Sequence, residues 1–216
     1  MSWKTKMSCV SFLKNSYRVN MSNASIINEL SKDTVIFISG TPCTGKTTVA
    51  ANLNDYLSDS GFDSKLIKIN DFAFENDLVL GEDPDKLYKV IDIDGLNECL
   101  NDEIDKSSDC VLIVEGHLSH LCEGADKMIV LRLNPSILKG RLEERNYSES
   151  KIQENLEAEA LAVCSAEAYE IYGEKTNEID ASDKSVEEIR DLIIAIAADE
   201  IECPVGSIDF MEWLLE

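Results

Sequence analysis

Gly40-Thr-Pro-Cys-Thr-Gly-Lys-Thr-Thr48 follows directly on the apolar run Thr34–Ser39. The spacing of Gly40, Gly45, Lys46 and Thr47 is that of a loop that wraps phosphates. Such a loop needs backbone N–H groups turned inward, with the positive end of a helix behind them. Gly45 lets the backbone approach closely. Lys46 brings a point charge to the terminal phosphates, Thr47 offers a hydroxyl to Mg²⁺, and Thr48 is placed for an inner phosphate. A bound nucleotide with Mg²⁺ is therefore expected. Cys43 stands where such loops usually carry Gly or another small residue. Phosphoryl transfer needs no thiol nucleophile, and no second cysteine lies at metal-binding spacing. Its expected contribution is a backbone N–H. A thiol beside a helix N-terminus and a lysine nevertheless sits where thiolate is favoured, so oxidation or alkylation there is a second reading, one that would block the loop.

A phosphate loop also needs an acid on a neighbouring strand to hold Mg²⁺, usually through water. Glu115 ends the apolar run Cys110–Glu115 and is the candidate. His117 follows two residues later and could orient a water or touch phosphate, although a lone histidine is more often structural; His120 is the weaker candidate of the two. Arginine is scarce, so its positions are informative. Arg132 is near the end of an apolar run, and Arg141 and Arg145 share a helix face. Arginine forks stabilise the equatorial oxygens of a moving phosphoryl group. The ordinary alternative is ion pairing with Glu143, Glu144 or Glu149. Arg145, beside the polar turn Asn146–Ser150, is expected in a catalytic or lid role. Asp71 follows a strand and could meet the acceptor or cap a helix. Asp71, Arg132 and Arg141 are the candidates for the acceptor side. No N-K-x-D motif is present to read a guanine base.

These residues need a scaffold of alternating strands and helices. Strands are expected at Thr34–Ser39, Lys65–Ile69, Cys110–Glu115, Lys127–Leu133 and Thr176–Asp180. Helices are expected at Lys46–Ser60, Leu96–Ile104, Pro135–Arg145, Lys151–Tyr172 and Ser185–Ala198. That alternation predicts an α/β fold with a parallel sheet covered on both faces. Residues 1–33 read as an extension, either a flexible arm or the result of a mis-assigned start codon with Met21 as the true start, and residues 34–216 as one P-loop nucleotide kinase domain. The aromatic tail after Glu202 is expected to dock on it.

The chain has 216 residues and a formal charge of −22. So acidic a surface argues against broad nucleic-acid binding, which rests on phosphate neutralisation by Lys and Arg. It leaves open a basic protein partner or a small anion in a locally positive pocket. Seven scattered cysteines without a C-x-x-C pair fit a reducing cytoplasm. No apolar run reaches the length of a membrane helix.

With these residues assembled, the chain resembles the adenylate kinase isoenzyme 6 family, archaeal members above all. The likeness runs from residue 34 to the C-terminus. It is carried by Ile38-Ser-Gly-Thr-Pro, Ile69-Asn-Asp-Phe-Ala, Glu115-Gly-His-Leu-Ser-His and Val130-Leu-Arg-Leu-Asn-Pro. Arg141–Tyr147, Lys151–Ala160, Glu178-Ile-Asp-Ala-Ser and Val205–Phe210 extend it. The resemblance implies a three-layer P-loop nucleoside-monophosphate-kinase fold with a short lid, and Mg²⁺-dependent transfer between ATP and AMP. It also implies a part in small ribosomal subunit assembly through a basic ribosomal protein. By position, Cys43, Gly45, Lys46, Thr47, Thr48 and Arg145 would contact ATP, and Glu115 and His117 would fill the family's acid-x-His motif. Three residues depart from the pattern: Cys43 for Gly, Phe74 for Arg or Lys in the monophosphate segment, and Asn146 for Gly after the lid arginine. The alternatives are a nucleotide-gated ATPase that binds a ribosomal protein, and a kinase for another small acceptor.

Overall fold

The sequence's apolar runs become short parallel strands, and the amphipathic stretches between them become the helices that cover the sheet. A computed structural model describes residues 7–8, 26–82 and 89–215. In chain order the elements are β1 (Met7–Ser8), β2 (Val35–Ser39), α1 (Lys46–Asp59), β3 (Ser64–Lys68) and α2 (Ile69–Glu75). Then come β4 (Val79–Glu82), β5 (Lys89–Ile91), α3 (Ile93–Lys106), β6 (Val111–Glu115) and β7 (Lys127–Arg132). The chain continues through α4 (Pro135–Glu144), α5 (Glu149–Ala160), α6 (Val163–Tyr172), β8 (Thr176–Asp180), α7 (Val186–Ala197) and β9 (Ile201–Glu202).

Five strands form one sheet in the order β3-β6-β2-β7-β8, with every neighbouring pair parallel. All five carboxyl ends therefore open on one edge, where α/β folds build their ligand sites. The register sets Glu115 beside both Ile38 and Lys68, and Arg132 beside Asp180. Alternate residues of each strand point to opposite faces. Ile36, Ile38, Ile113, Ile129 and Leu131 pack under α1, α4, α5 and α7. Val35, Phe37, Leu112, Val114 and Met128 pack against α2, α3 and α6. The result is the expected three-layer P-loop fold.

Local signals set the helix starts. Asn134 accepts from the Ser136 N–H at 2.9 Å, with Pro135 in the first turn of α4. Ser185 and Glu188 form a reciprocal capping box on α7.

Two expectations are corrected. The single helix expected over Lys151–Tyr172 is two helices, because Ala162 takes left-handed backbone angles (φ 56°, ψ 35°). The reason is tertiary: α5 buries Ile152 and Leu156 on one face of the sheet, and α6 buries Ala168 on the other. A straight helix cannot serve both faces. The expected boundary before residue 34 is not where packing begins, since Ile26, Ile27 and Leu30 are buried in the same core as α1 and α7. The rest of the expected extension lies outside the described residues, apart from β1, which pairs in parallel with β9. The tail docks as expected, with Trp213 packed against the core.

Candidate functional site

The loop between β2 and α1 is shaped by its glycines. At Gly40, with φ +134°, an added Cβ would stand 2.4 Å from the Leu131 carbonyl oxygen, so only glycine fits. Gly45 takes φ +109° immediately before α1, which frees the first N–H groups of that helix to point into the loop. Cys43 also has a positive φ, 69°. That conformation costs a side-chain-bearing residue about 1–2 kcal/mol, which gives a physical reason for a glycine in this bend. The Cys43 side chain is half-buried against the core.

Lys46 folds back over the loop, and its ammonium donates to the carbonyls of Gly40 and Thr41, each at 2.8 Å. Burial lowers its pKa from 10.5 to about 8, against the opposing pull of Cys164, Glu115, Cys43 and Glu159. A phosphate would supply the missing counter-charge. Thr47, at the exposed start of α1, donates its hydroxyl to Glu115 Oε1 at 3.0 Å. The hydroxyl expected on Mg²⁺ and the acid expected near it are thus neighbours. Hard oxygen donors of this kind fit Mg²⁺. Among the described residues no group of three His, Cys, Asp or Glu could hold a metal ion.

The two histidines separate. His117 presents an exposed ring beside the loop. Crowding by neighbouring protein, then the charges of Lys46, His120 and Lys151, hold its pKa down to about 4. Its exposure limits the crowding effect, but every cause acts in the same direction, so the neutral imidazole is the form in play. His120 is buried. Its Nδ1 lies 2.7 Å from Ser39 Oγ and its Nε2 2.8 Å from Glu167 Oε2. It ties α6 to the end of β2.

The arginines also divide. Arg132 does not reach the cleft, which corrects its expected acceptor role. It is 1% exposed, and Nε donates to Glu159 Oε1 at 2.8 Å while Nη1 donates to Glu178 Oε1 at 2.7 Å. Those carboxylates raise its pKa against the opposing effect of burial. Arg141, expected on the acceptor side, meets the phosphate loop, donating to the carbonyls of Cys43 and Thr44 at 3.3 and 3.4 Å. Arg145 is exposed at the C-cap of α4, where the four residues 145–148 form the short connection expected as a lid. Asp71 lies in the first turn of α2, exposed, with Lys68 rather than Asp71 at the N-cap. Phe74 is 66% exposed, and the Lys89 ammonium stands 5.1 Å from its ring centre. From Ile69 to Ile91 the sequence contains no arginine.

Sequence reasoning missed Glu159. Ile152, Leu156, Glu159 and Ala160 form the buried stripe of α5. A carboxylate on an otherwise apolar stripe is the signal that was there to read. A surface hollow of about 440 Å³, lined by Tyr169, Glu174, Thr176 and Val205 among others, shares no residue with the loop. It opens where β8 begins, the far end of the sheet from the phosphate loop.

The AAA domain family matches residues 36–162. A protein of Methanothermobacter thermautotrophicus named "Putative adenylate kinase" is 42% identical over 84% of this chain and 99% of its own length. A protein of the same name from Archaeoglobus fulgidus is 37% identical, over 84% and 93%. Among solved structures, thymidylate kinase from Candida albicans overlaps 76% of this chain and 90% of its own, at 15% identity and a TM-score of 0.46. No helix among the described residues is long and apolar enough to cross a membrane.

Proposed function

The chain belongs to the AAA-domain P-loop family and to its archaeal adenylate-kinase-like branch, and from that premise we propose that it transfers the γ-phosphoryl group of ATP to AMP. That it is a phosphotransferase of the nucleoside-monophosphate-kinase type follows from the relatives together with the loop. The ATP half of this reading rests most on one observation, that the Thr47 hydroxyl and the Glu115 carboxylate meet at 3.0 Å beside a buried, charge-deficient Lys46; AMP as the acceptor is carried by the likeness to the relatives named adenylate kinase.

In this reading an oxygen of the acceptor phosphate attacks the γ-phosphorus. The bond from that phosphorus to the β–γ bridging oxygen breaks, and two ADP molecules leave. Nothing covalent forms on the protein, so its work is positioning and charge stabilisation. The loop's N–H groups and Lys46 hold the terminal phosphates. Arg141 braces the loop from outside through the Cys43 and Thr44 carbonyls. Arg145 swings over the transferring group from the short lid. Thr47 and Glu115 would hold Mg²⁺, which when bound offsets the charge on the phosphate oxygens. Neutral His117 can accept a hydrogen bond from a water or an acceptor hydroxyl. Asp71 and Lys89 face the acceptor from the Ile69–Ile91 arm.

ADP production by the purified protein should depend on added AMP. Equal turnover with AMP and with water alone would remove the AMP kinase reading.

A second reading is favoured by the acceptor arm, which has an exposed phenylalanine and no arginine, and by the net charge of −22. In it the protein is a cytoplasmic, nucleotide-gated ATPase that holds a basic ribosomal protein of the small subunit. ATP should then change capture of that protein, and binding insensitive to nucleotide would remove this alternative.

A further inference from the structure

A buried polar chain runs from the phosphate loop to the C-terminal tail. Thr41 donates its hydroxyl to Glu159 Oε2 at 2.5 Å. Glu159 Oε1 accepts from Arg132 Nε at 2.8 Å and from the Leu133 N–H at 3.0 Å. Arg132 donates onward to Glu178 Oε1, and Glu178 Oε2 accepts the Gly206 N–H at 2.9 Å. The tail closes the chain a second time, with the Phe210 ring 5.3 Å from the Arg132 guanidinium. Thr41, Glu159, Arg132 and Glu178 are each no more than 2% exposed.

The charges explain why the tail matters. Two buried carboxylates share one guanidinium, so the deficit is met by single donors: the Thr41 hydroxyl, the Leu133 N–H and the Gly206 N–H. A buried carboxylate that loses a donor is costly, and the tail supplies one of Glu178's donors and an aromatic face against Arg132. Thr41 is the joint at the other end. The same residue whose hydroxyl is held by Glu159 offers its carbonyl to the Lys46 ammonium at 2.8 Å.

We propose that Phe210, with the tail that carries it, is a positioning residue for the phosphate loop, acting through Arg132, Glu159 and Thr41. The tail thereby sets how well Lys46 is held for nucleotide, a consequence that rests on the loop binding nucleotide as read above. Displacing the tail lets Arg132 move toward Glu178, loosens Glu159 and frees Thr41.

The experiment uses the full chain with Phe210→Ala, Thr41→Val and both together, reading MgATP affinity by calorimetry and amide exchange of residues 41–45 without nucleotide. Phe210→Ala should weaken ATP binding about 2- to 30-fold, the range found for networks of this kind. It should also speed exchange in the loop, to which Phe210 is linked through Arg132, Glu159 and Thr41. Thr41→Val should weaken binding as well, Thr41→Ser should restore it, and the double variant should lose little beyond the worse single one. Wild-type affinity and wild-type loop exchange in Phe210→Ala would overturn the proposal, as would losses that multiply in the double variant. If Phe210→Ala does not fold, Phe210→Leu fills the same space without the aromatic face and carries the same test. Wild-type protein that fails to bind ATP would defeat the nucleotide reading instead, and the exchange measurement would still read the coupling.

Discussion

Replacing Lys46 with Met tests the electrostatics of the empty loop. Lys46 is 7% exposed, and burial takes its pKa from 10.5 to about 8. Each pKa unit corresponds to about 1.4 kcal/mol, so holding the proton on Lys46 at pH 7 costs the nucleotide-free fold about 3 kcal/mol relative to an unperturbed lysine. The sign follows from proton counting. Between the folded pKa of about 8 and the unfolded 10.5, the unfolded chain keeps the proton and the folded chain has released it. Stability rises with pH wherever the unfolded state binds more protons. Wild type should therefore gain on Lys46→Met by about 2 kcal/mol between pH 7 and 9.5. Urea unfolding of both proteins across that range, without nucleotide, measures the difference while the titrations they share cancel. Parallel stability curves would refute the reasoning, because they would mean that the ammonium in the loop is not depleted of counter-charge. The variant should also fail to bind ATP at every pH.

Arg145→Ala should lower the catalytic rate about 100-fold or more in the coupled ADP assay, with an unchanged melting temperature because Arg145 is exposed. Arg132→Met leaves Glu159 and Glu178 buried without their guanidinium and should cost about 3–5 kcal/mol in urea unfolding. Ala162→Gly relieves the left-handed backbone between α5 and α6 and should stabilise by about 1 kcal/mol, read as a rise in melting temperature. Saturating MgATP should slow alkylation of Cys43 by a thiol reagent, and labelling that ignores nucleotide would place the thiol outside the bound phosphates.

The phosphate loop, its helix and the acid at Glu115 were legible because local chemistry fixes them. Glycines at set spacing, an apolar run and a terminal carboxylate need no distant partner to be recognised. Arg132 was misread for the opposite reason. A charged residue ending an apolar strand looks like a ligand contact, and its actual partners, Glu159 and Glu178, lie 27 and 46 residues away. The break after Leu161 has no local cause, since no Gly or Pro occurs between Lys151 and Tyr172. It arises because successive turns of one amphipathic stretch are needed on opposite faces of the sheet. Residues 26–30 were read as part of an extension because a short apolar cluster among polar residues gives no period, and only the core shows its use.

The Ile69–Ile91 arm has a consequence of its own. It leaves the main sheet after β3 and returns before α3, and it carries a private antiparallel ladder between β4 and β5. Its two ends are stitched together where the Leu78 N–H donates to the Ala73 carbonyl and the Asp92 N–H donates to the Leu78 carbonyl, each at 2.9 Å. No residue of the phosphate loop lies within it. On the proposed reading, in which the arm takes the acceptor, it is a cassette: a graft from a relative that keeps the Leu78 junction should exchange one phosphoryl acceptor for another and leave ATP binding untouched.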